Sequence, residues 1–242
     1  MKIGIYGGSF NPVHNGHLGV ARAAIADLGL DRLIVVPAAV SPFKADEAVE
    51  PPRYDRLLLV RAAFNGMEKV SVDDRELKRG GISYAIDTVR EIIGEFAQSP
   101  ASPSAHSASS AHDEFFFIVG EDSVAGLPKW KEAETLWNLC TPKAYPRTRE
   151  SSTEIRARLA KGEPIDDLVP PTVALFIRHG VVYNADKGLA DTVLKGLERK
   201  GGYCPCRLPK TPEFFCPCDE FKSQLADPAY HGLCHCRLYE KK

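Results

Sequence analysis

The stretch GIYGGSFNPVHNGHL, residues 4–18, joins a short apolar run to a helix-like segment through a loop with glycines, a proline and two histidines. Gly7 and Gly8 stand where the apolar run ends, and glycine there lets the backbone approach a ligand closely and adopt positive φ angles. His14 and His17 are three residues apart, so they point to one side where a helix begins. Because a helix N-terminus offers free N–H groups to an anion, the stretch predicts a polyphosphate-binding loop. The alternative is a plain strand–loop–helix turn with two incidental histidines.

Strand-like and helix-like segments alternate through the first 120 residues. The strand-like runs are KIGIY, RLIVVPA, KVSVDD and EFFFIVG, and the helix-like segments are residues 18–29, 53–64 and 83–96. Continuous apolar strands separated by helices are typical of a parallel sheet covered on both faces. We therefore predict an α/β fold, a Rossmann-like doubly wound parallel sheet, with ligands bound beyond the carboxyl ends of its strands.

Composition indicates which classes of partner and compartment to expect. The 242 residues include 31 basic and 32 acidic side chains, which gives no bulk electrostatic case for binding nucleic acid or a membrane surface. The sequence shows neither a secretory leader nor a run of about 20 apolar residues. We therefore expect a cytoplasmic protein, and in that compartment clustered cysteines favour metal or redox chemistry over structural disulfides.

Two changes in composition predict the domain organisation. Residues 98–112, QSPASPSAHSASSAH, are too poor in apolar side chains to pack and are predicted to form a disordered surface loop. Near Asn184 the composition changes again, and an amphipathic helix over residues 188–202 leads into six cysteines. We predict a larger domain over residues 1–184 and a small cysteine module over residues 188–242.

The stretch GGSFNPVHNGHL resembles the signature of the nucleotidylyltransferase superfamily. Members transfer a nucleotidyl group from ATP, usually with Mg²⁺, to a phosphate on an acceptor, and pyrophosphate leaves without a covalent enzyme intermediate. The resemblance implies that His14 and His17 stabilise charge on the transferred phosphate, in keeping with a reaction that depends on positioning and electrostatics. The ATP-binding residues that it implies in this loop are Gly7, Gly8, Ser9 and Phe10.

The stretch ESSTEIR, residues 150–156, resembles the second signature of the same superfamily. The resemblance adds Ser151, Ser152 and Thr153 to the ATP site, where their hydroxyls and amides would cap a helix and bind phosphate. It also implies that Arg156 pairs with the β- and γ-phosphates. The alternative is a plain capping box, since serine followed three residues later by glutamate is a common helix start.

Two further stretches resemble the nicotinate mononucleotide adenylyltransferase branch: ISYAIDT, residues 82–88, and FIVGEDSVAGLPKW, residues 117–130. They imply nicotinate mononucleotide as the acceptor, bound by Tyr84 and Asp87, with Trp130 stacked on the pyridine ring. The alternative is that Trp130 belongs to the core, since a lone tryptophan on a helix is more often a core residue.

A third stretch, PAAVSPFK, residues 37–44, resembles the proline-rich loop of that branch and adds Lys44 to the acceptor site. One departure concerns the same site, because Lys131 stands where an aromatic residue often follows the tryptophan.

A shortened segment keeps other functions open. Relatives have a few dozen residues between the strand that ends near Tyr145 and the second signature, whereas only residues 148–150 follow YPR here. This favours an alternative in which the protein is a redox protein whose shortened α/β domain only binds nucleotide. A further alternative keeps the reaction but changes the acceptor to nicotinamide mononucleotide or phosphopantetheine.

Six cysteines in the module form three Cys-x-Cys pairs: CPC at 204–206, CPC at 216–218 and CHC at 234–236. Four thiolates satisfy a tetrahedral zinc or a [4Fe–4S] cluster, and six are too many for one such site. Zinc alone and disulfide stapling remain alternatives. Cys140 stands apart and is expected to be a buried small hydrophobe.

The order CPC, CPC, CHC resembles the catalytic chain of ferredoxin–thioredoxin reductase. The resemblance implies a [4Fe–4S] cluster on four cysteines: Cys204, Cys216, Cys218 and Cys234. It further implies a redox-active pair, Cys206 and Cys236, with His235 handling protons beside it. A dithiol next to a cluster suits conversion between one-electron and two-electron transfer. Ferredoxin or a thioredoxin-like protein would be the partner.

Overall fold

A computed structural model describes residues 1–43, 53–98 and 113–242 of the chain. Lys44 and, apart from Gln98, the loop predicted over residues 98–112 lie outside the described residues. The described residues cluster into two compact units. The first comprises residues 1–11, 16–43, 53, 69–98 and 113–151, and the second comprises residues 12–15, 54–68 and 152–242.

A five-stranded parallel sheet forms the first unit, in the order β3-β2-β1-β4-β5. Its strands are β1 (Lys2–Gly8), β2 (Arg32–Pro37), β3 (Val70–Val72), β4 (Glu114–Gly120) and β5 (Thr141–Tyr145). Ile5 in the central strand β1 lies between Ile34 of β2 and Phe117 of β4, and all three side chains are buried. The continuous apolar runs thus occupy the centre of the sheet, and the predicted α/β parallel sheet is confirmed.

The described residues between these strands include five helices: α1 (Asn15–Leu28), α2 (Arg53–Phe64), α3 (Arg75–Arg79), α4 (Ala85–Gln98) and α5 (Ala133–Leu139). Helix α1 ends where Gly29 adopts a φ of +60°, which glycine tolerates without a Cβ clash. A 3₁₀ segment, Glu121–Lys129, follows β4. Helix α4 buries Ile86, Val89 and Ile92 in the same apolar core as β1 and β4, as its 3.6-residue spacing requires.

The second unit contains α2 apart from Arg53, the helices that follow β5 and a small antiparallel sheet. The helices after β5 are α6 (Ser152–Ala160), α7 (Pro171–Arg178), α8 (Lys187–Arg199) and α9 (Asp219–Ala226). The sheet has the order β6-β8-β7 and consists of β6 (Val181–Tyr183), β7 (Gly232–Leu233) and β8 (Tyr239–Lys241). Because β6 precedes residue 184 and pairs with β8 at the chain's end, the predicted boundary between residues 184 and 188 lies inside this unit and stays a prediction.

Helix α8 begins with a side-chain cap, since the N–H of Leu189 donates to Asp186 Oδ1 at 3.0 Å. Residues 146–151 alone connect β5 to α6, so the short connection expected from the sequence leads directly from a strand to a helix. In the parts of the chain that the structure describes, every helix is too short or too polar to cross a bilayer.

Candidate active site and cysteine cluster

Gly7 and Gly8, the last two residues of β1, pack closely against aromatic rings. A Cβ on Gly7 would lie 3.3 Å from Cζ of Phe117, and a Cβ on Gly8 would lie 3.1 Å from ring atoms of Phe10. Both distances are tighter than ordinary van der Waals contact, so a side chain at either position would displace an aromatic ring by a few tenths of an ångström.

Phe10 shows why this loop has a fixed shape. Its φ of 45° lies in the left-handed region, which costs a non-glycine residue about 1–3 kcal/mol. The side chain is only 1% exposed, and its ring packs edge-on against Tyr6 at 5.5 Å between centroids. The His17 ring lies 4.9 Å from the Phe10 ring. Burial of the Phe10 side chain therefore offsets the backbone strain. The same side chain packs against the ring of His17, which lies in the first turn of α1.

His14 belongs to a short segment, residues 12–15, which forms hydrogen bonds with residues of α6 and of the segment between α6 and α7. The Ser152 hydroxyl donates to the Pro12 carbonyl at 3.0 Å, and the Asn15 amide donates to the Leu168 carbonyl at 2.9 Å. His14 itself is buried. The structure therefore brings the start of the second signature into contact with Pro12 of the first signature.

The other residues of the second signature lie at the start of α6. Ser151 directly precedes the helix, and Ser152 and Thr153 form its first turn. The half-buried Arg156 donates from Nη2 to Thr153 Oγ1 at 3.4 Å. Hydroxyls, amides and a guanidinium thus occupy one helix end, a set suited to anions.

A cavity of about 540 Å³ lies within the first unit. Its wall includes Gly7, Gly8 and Ser9, from the loop predicted to bind phosphate (the phosphate loop, residues 7–10), together with Tyr84 and Trp130. The structure therefore brings three of the predicted ATP-binding residues and two of the predicted acceptor-binding residues around one space. Asp87, the other described residue of the acceptor set, lies in the first turn of α4.

Trp130 belongs both to the cavity wall and to an aromatic cluster. Its ring packs edge-on against Phe117 at 5.7 Å, lies 5.7 Å from Trp137, and lies 6.2 Å from Phe43. It is half-buried. A role in the core and a role in stacking on the acceptor are therefore compatible for Trp130, because its ring packs against core aromatic residues and the residue also borders the cavity.

Several cavity residues were not predicted from the sequence: Glu76, Ser83, Asp122 and Lys131. Glu76 is 6% exposed and accepts a hydrogen bond from the Thr88 hydroxyl, and burial raises the pKa of its carboxyl. In the sequence it is one of several acidic residues after β3, and no local signal separates it from Asp73 and Asp74. Lys131 was noticed only because relatives differ there.

Three sulfur atoms converge in the cysteine module. The Sγ atoms of Cys204, Cys206 and Cys236 all lie within 4.8 Å of one another, and Cys234 Sγ lies 3.8 Å from Cys236 Sγ. Cys216 and Cys218 are close enough to Cys204 and Cys234 for their charges to interact. The six cysteines of the three pairs therefore surround one region. His235, between two of them, is exposed.

Backbone bonds set the arrangement of these sulfurs. The Cys204 amide donates to the Phe214 carbonyl at 2.8 Å, and the Cys216 amide donates to the Gly202 carbonyl at 3.0 Å. The Cys236 thiol donates to Cys204 and thereby lowers the pKa of the Cys204 thiol, whereas burial raises the pKa of Cys216. All seven cysteines of the chain carry free thiols in this structure, and Cys206 is the exposed one.

The sheet, the glycine–histidine loop and the second signature together define a class. Residues 5–161 match the family model described as cytidylyltransferase-like, so the chain is a nucleotidyltransferase of that fold. A solved structure, "The Crystal Structure of a Putative Nicotinate-nucleotide Adenylyltransferase from Vibrio parahaemolyticus", has the same fold. It superposes with a TM-score of 0.58 at 22% identity, over 73% of this chain and 98% of that one.

Curated relatives define the family more closely. The probable nicotinate-nucleotide adenylyltransferase of Gemmatimonas aurantiaca is 34% identical over 221 residues, which cover 79% of this chain and 97% of the relative. That of Shouchella clausii is 35% identical over 200 residues and covers 75% of this chain and 96% of the relative. The chain belongs to the nicotinate-nucleotide adenylyltransferase family and is an enzyme.

Proposed function

We propose that the enzyme transfers the adenylyl group of MgATP to nicotinate mononucleotide, giving deamido-NAD and pyrophosphate in NAD biosynthesis. The single observation that carries the proposal is the shared cavity, because the phosphate loop and the residues Tyr84 and Trp130 border the same space. The names of the relatives support nicotinate mononucleotide as the acceptor. The nicotinic acid mononucleotide adenylyltransferase of Plasmodium falciparum was solved in complex with NaAD. That structure superposes with a TM-score of 0.54 at 17% identity and covers 74% of this chain and 96% of its own.

The chemistry needs no enzyme nucleophile. An oxygen of the acceptor's phosphate attacks the α-phosphorus of ATP, the new P–O bond forms, and the bond from that phosphorus to the bridging oxygen of pyrophosphate breaks. Charge on the phosphate oxygens rises in this step, so fixed donors are the effective catalysts. We assign this role to His14, His17 and the backbone N–H groups of the loop that begins at Ser9, after β1. Ser151, Ser152, Thr153 and Arg156 would hold the departing β- and γ-phosphates.

The test is pyrophosphate release from MgATP with three acceptors offered separately: nicotinate mononucleotide, nicotinamide mononucleotide and phosphopantetheine. Turnover that favours the acid supports the proposal. Preference for either other acceptor would reassign the substrate. Absence of turnover with all three, in folded protein that still binds ATP, would instead favour the redox protein with a nucleotide-binding scaffold.

A second function has its own observation, the convergence of thiols in the cysteine module. We propose that Cys204, Cys216, Cys218 and Cys234 hold a [4Fe–4S] cluster and that Cys206 and Cys236 form the adjacent redox-active pair, with His235 nearby. The donor set fits the group, because thiolates are the usual ligands of such clusters and the four sulfurs interact electrostatically. The cluster would supply electrons one at a time, and a Cys206–Cys236 disulfide would accept two of them, with two protons, to become the dithiol.

Zinc is the competing occupant, and two variants separate the alternatives. The three sulfurs that lie within 4.8 Å of one another include the redox pair, Cys206 and Cys236, so a zinc site built on them needs Cys206. The cluster needs Cys216 instead. Anaerobically purified Cys216→Ser protein should lose iron and sulfide while Cys206→Ser protein keeps them. Stoichiometric zinc that is lost with Cys206→Ser would overturn the cluster assignment.

A further inference from the structure

Lys131 is held at the acceptor end of the cavity by two neighbours. Its ammonium lies 4.5 Å from the centroid of the Tyr84 ring and 3.2 Å from Asp87 Oδ2. Tyr84 and Lys131 both border the cavity, and Trp130 precedes Lys131 directly. A cation over the face of a tyrosine ring is electrostatically favourable. The position of this charge is therefore specified by residues of the predicted acceptor site.

The segment that carries Lys131 is itself anchored to α4. Glu132, the next residue, receives an ion pair from Arg90 at 2.6 Å, one turn along α4 from Asp87. Glu132 also has a φ of +51°, in the left-handed region. Two parallel ion pairs thus tie residues 131 and 132 to one helix, and the lysine side chain is directed by a fixed backbone bend.

The Lys131 ammonium has three N–H donors, and among the described residues its hydrogen bonds go to the two carboxylate oxygens of Asp87, at 3.4 and 3.2 Å. The side chain retains 42% of its exposure, so a ligand carboxylate can reach it. Trp130 and Lys131 both border the cavity, so the same space offers an acceptor an aromatic face and a cation.

We propose that Lys131 is a specificity-determining residue, whose ammonium pairs with the carboxylate on the pyridine ring of the acceptor. The neutral amide of the alternative mononucleotide gains no charge–charge attraction there, so the lysine favours the acid. This inference rests on the proposed adenylyl transfer to a pyridine mononucleotide. Asp87 then acts as a positioning residue that holds the ammonium and, being an anion itself, weakens the preference.

Three variants test the inference with both acceptors. Lys131→Met keeps the apolar stem and removes the charge, and it should lower kcat/KM for nicotinate mononucleotide about tenfold, the effect of roughly one well-placed charge pair. The change should lie in KM, because the carboxylate is remote from the reacting phosphorus. The value for the amide should stay within about twofold. Lys131→Arg should retain the preference, and Asp87→Asn should increase it.

The matched control is Lys78→Met, because Lys78 forms a similar ion pair with Asp74 at 2.9 Å but is 72% exposed. It should change neither acceptor's kinetics. If Lys131→Met leaves the ratio of kcat/KM for the acid to kcat/KM for the amide unchanged, the inference is overturned.

A binding measurement separates this failure from failure of the proposed reaction. The quenching of fluorescence from the chain's two tryptophans, Trp130 and Trp137, reports acceptor binding without turnover. Inactive wild-type protein that binds the acid more tightly than the amide, with the difference abolished by Lys131→Met, would remove the proposed reaction and keep the specificity role. Wild-type protein that binds acid and amide equally would overturn the inference.

Discussion

The side-chain amide of Asn65 donates a hydrogen bond to the backbone carbonyl of Cys216 at 2.8 Å. The same amide also donates to the Gly202 carbonyl at 3.2 Å. Asn65 directly follows α2, a helix that lies between two strands of the parallel sheet in the sequence, whereas Cys216 is a proposed cluster ligand. A residue of the adenylyltransferase part of the chain thus supports the backbone of the cysteine module, and both belong to the second compact unit.

Asn65→Ala should destabilise the protein by about 1–3 kcal/mol, because it leaves two partly buried carbonyls without this donor. Urea unfolding followed by circular dichroism measures the free energy of unfolding. Asn138→Ala, at an exposed position of α5, is the control and should change it by less than about 0.5 kcal/mol. Equal, small effects of the two variants would show that the Asn65 bonds contribute nothing to stability.

Gly66→Ala tests the close approach beside Asn65. Gly66 has a φ of +71°, and a Cβ there would lie 2.5 Å from Cζ of Phe215, whose ring is itself packed edge-on against Tyr203. The control is Gly29→Ala, since Gly29 has a similar φ of +60° and open space around it. The left-handed backbone should cost each variant about 1–2 kcal/mol, and Gly66→Ala should lose a further 1–3 kcal/mol or so through overpacking.

The same urea experiment distinguishes the outcomes. If Gly66→Ala and Gly29→Ala unfold with the same free energy, the Phe215 ring moves aside without cost. Combining Gly66→Ala with Phe215→Leu should recover part of the loss, because the shorter side chain vacates the position that the new methyl group needs.

How much the sequence predicts depends on whether a feature is local. The runs that became β1 and β4 were predicted from apolar continuity, and helix α2 was predicted over the same residues that form it. Strands β6 and β8 were not predicted, because each has three residues and they meet only through pairing across the whole module. The Cys-x-Cys pattern predicted a thiol site, while the convergence of Cys204, Cys206 and Cys236 depends on long-range folding.

The candidate site shows the same division. Gly7, Gly8, Tyr84 and Trp130 were predicted from local motifs and do border one cavity. The placement of Lys131 on the Tyr84 ring was not predictable, because it depends on how the segment after β4 packs against α4. The left-handed conformation of Phe10 was also invisible, since its cause is burial against Tyr6 rather than a property of the motif.

His17→Ala should abolish turnover, with a loss of at least about 100-fold in kcat, because it removes one of the donors that we propose for the transferred phosphate. The fold should persist, since the change leaves the backbone of α1 intact, and circular dichroism and the melting temperature check this. His231→Ala, at an exposed position, is the control and should keep full turnover. Turnover near the wild-type value in folded His17→Ala protein would contradict the assignment of this residue to the reaction.

Cys140 should react much more slowly than the exposed Cys206. It is 4% exposed, its Sγ donates to the Leu136 carbonyl at 3.3 Å, and burial raises the pKa of the thiol to about 12. The thiolate is the nucleophile, and at about pH 8 only about one such thiol in ten thousand is ionised. After mild reduction, iodoacetamide should therefore modify the exposed Cys206 and leave Cys140 unmodified, as peptide mass spectrometry would show. In urea both should react, because unfolding removes the burial. Similar rates at the two sites in native protein would mean that the segment around α5 opens readily, against the packing of Cys140 in the core.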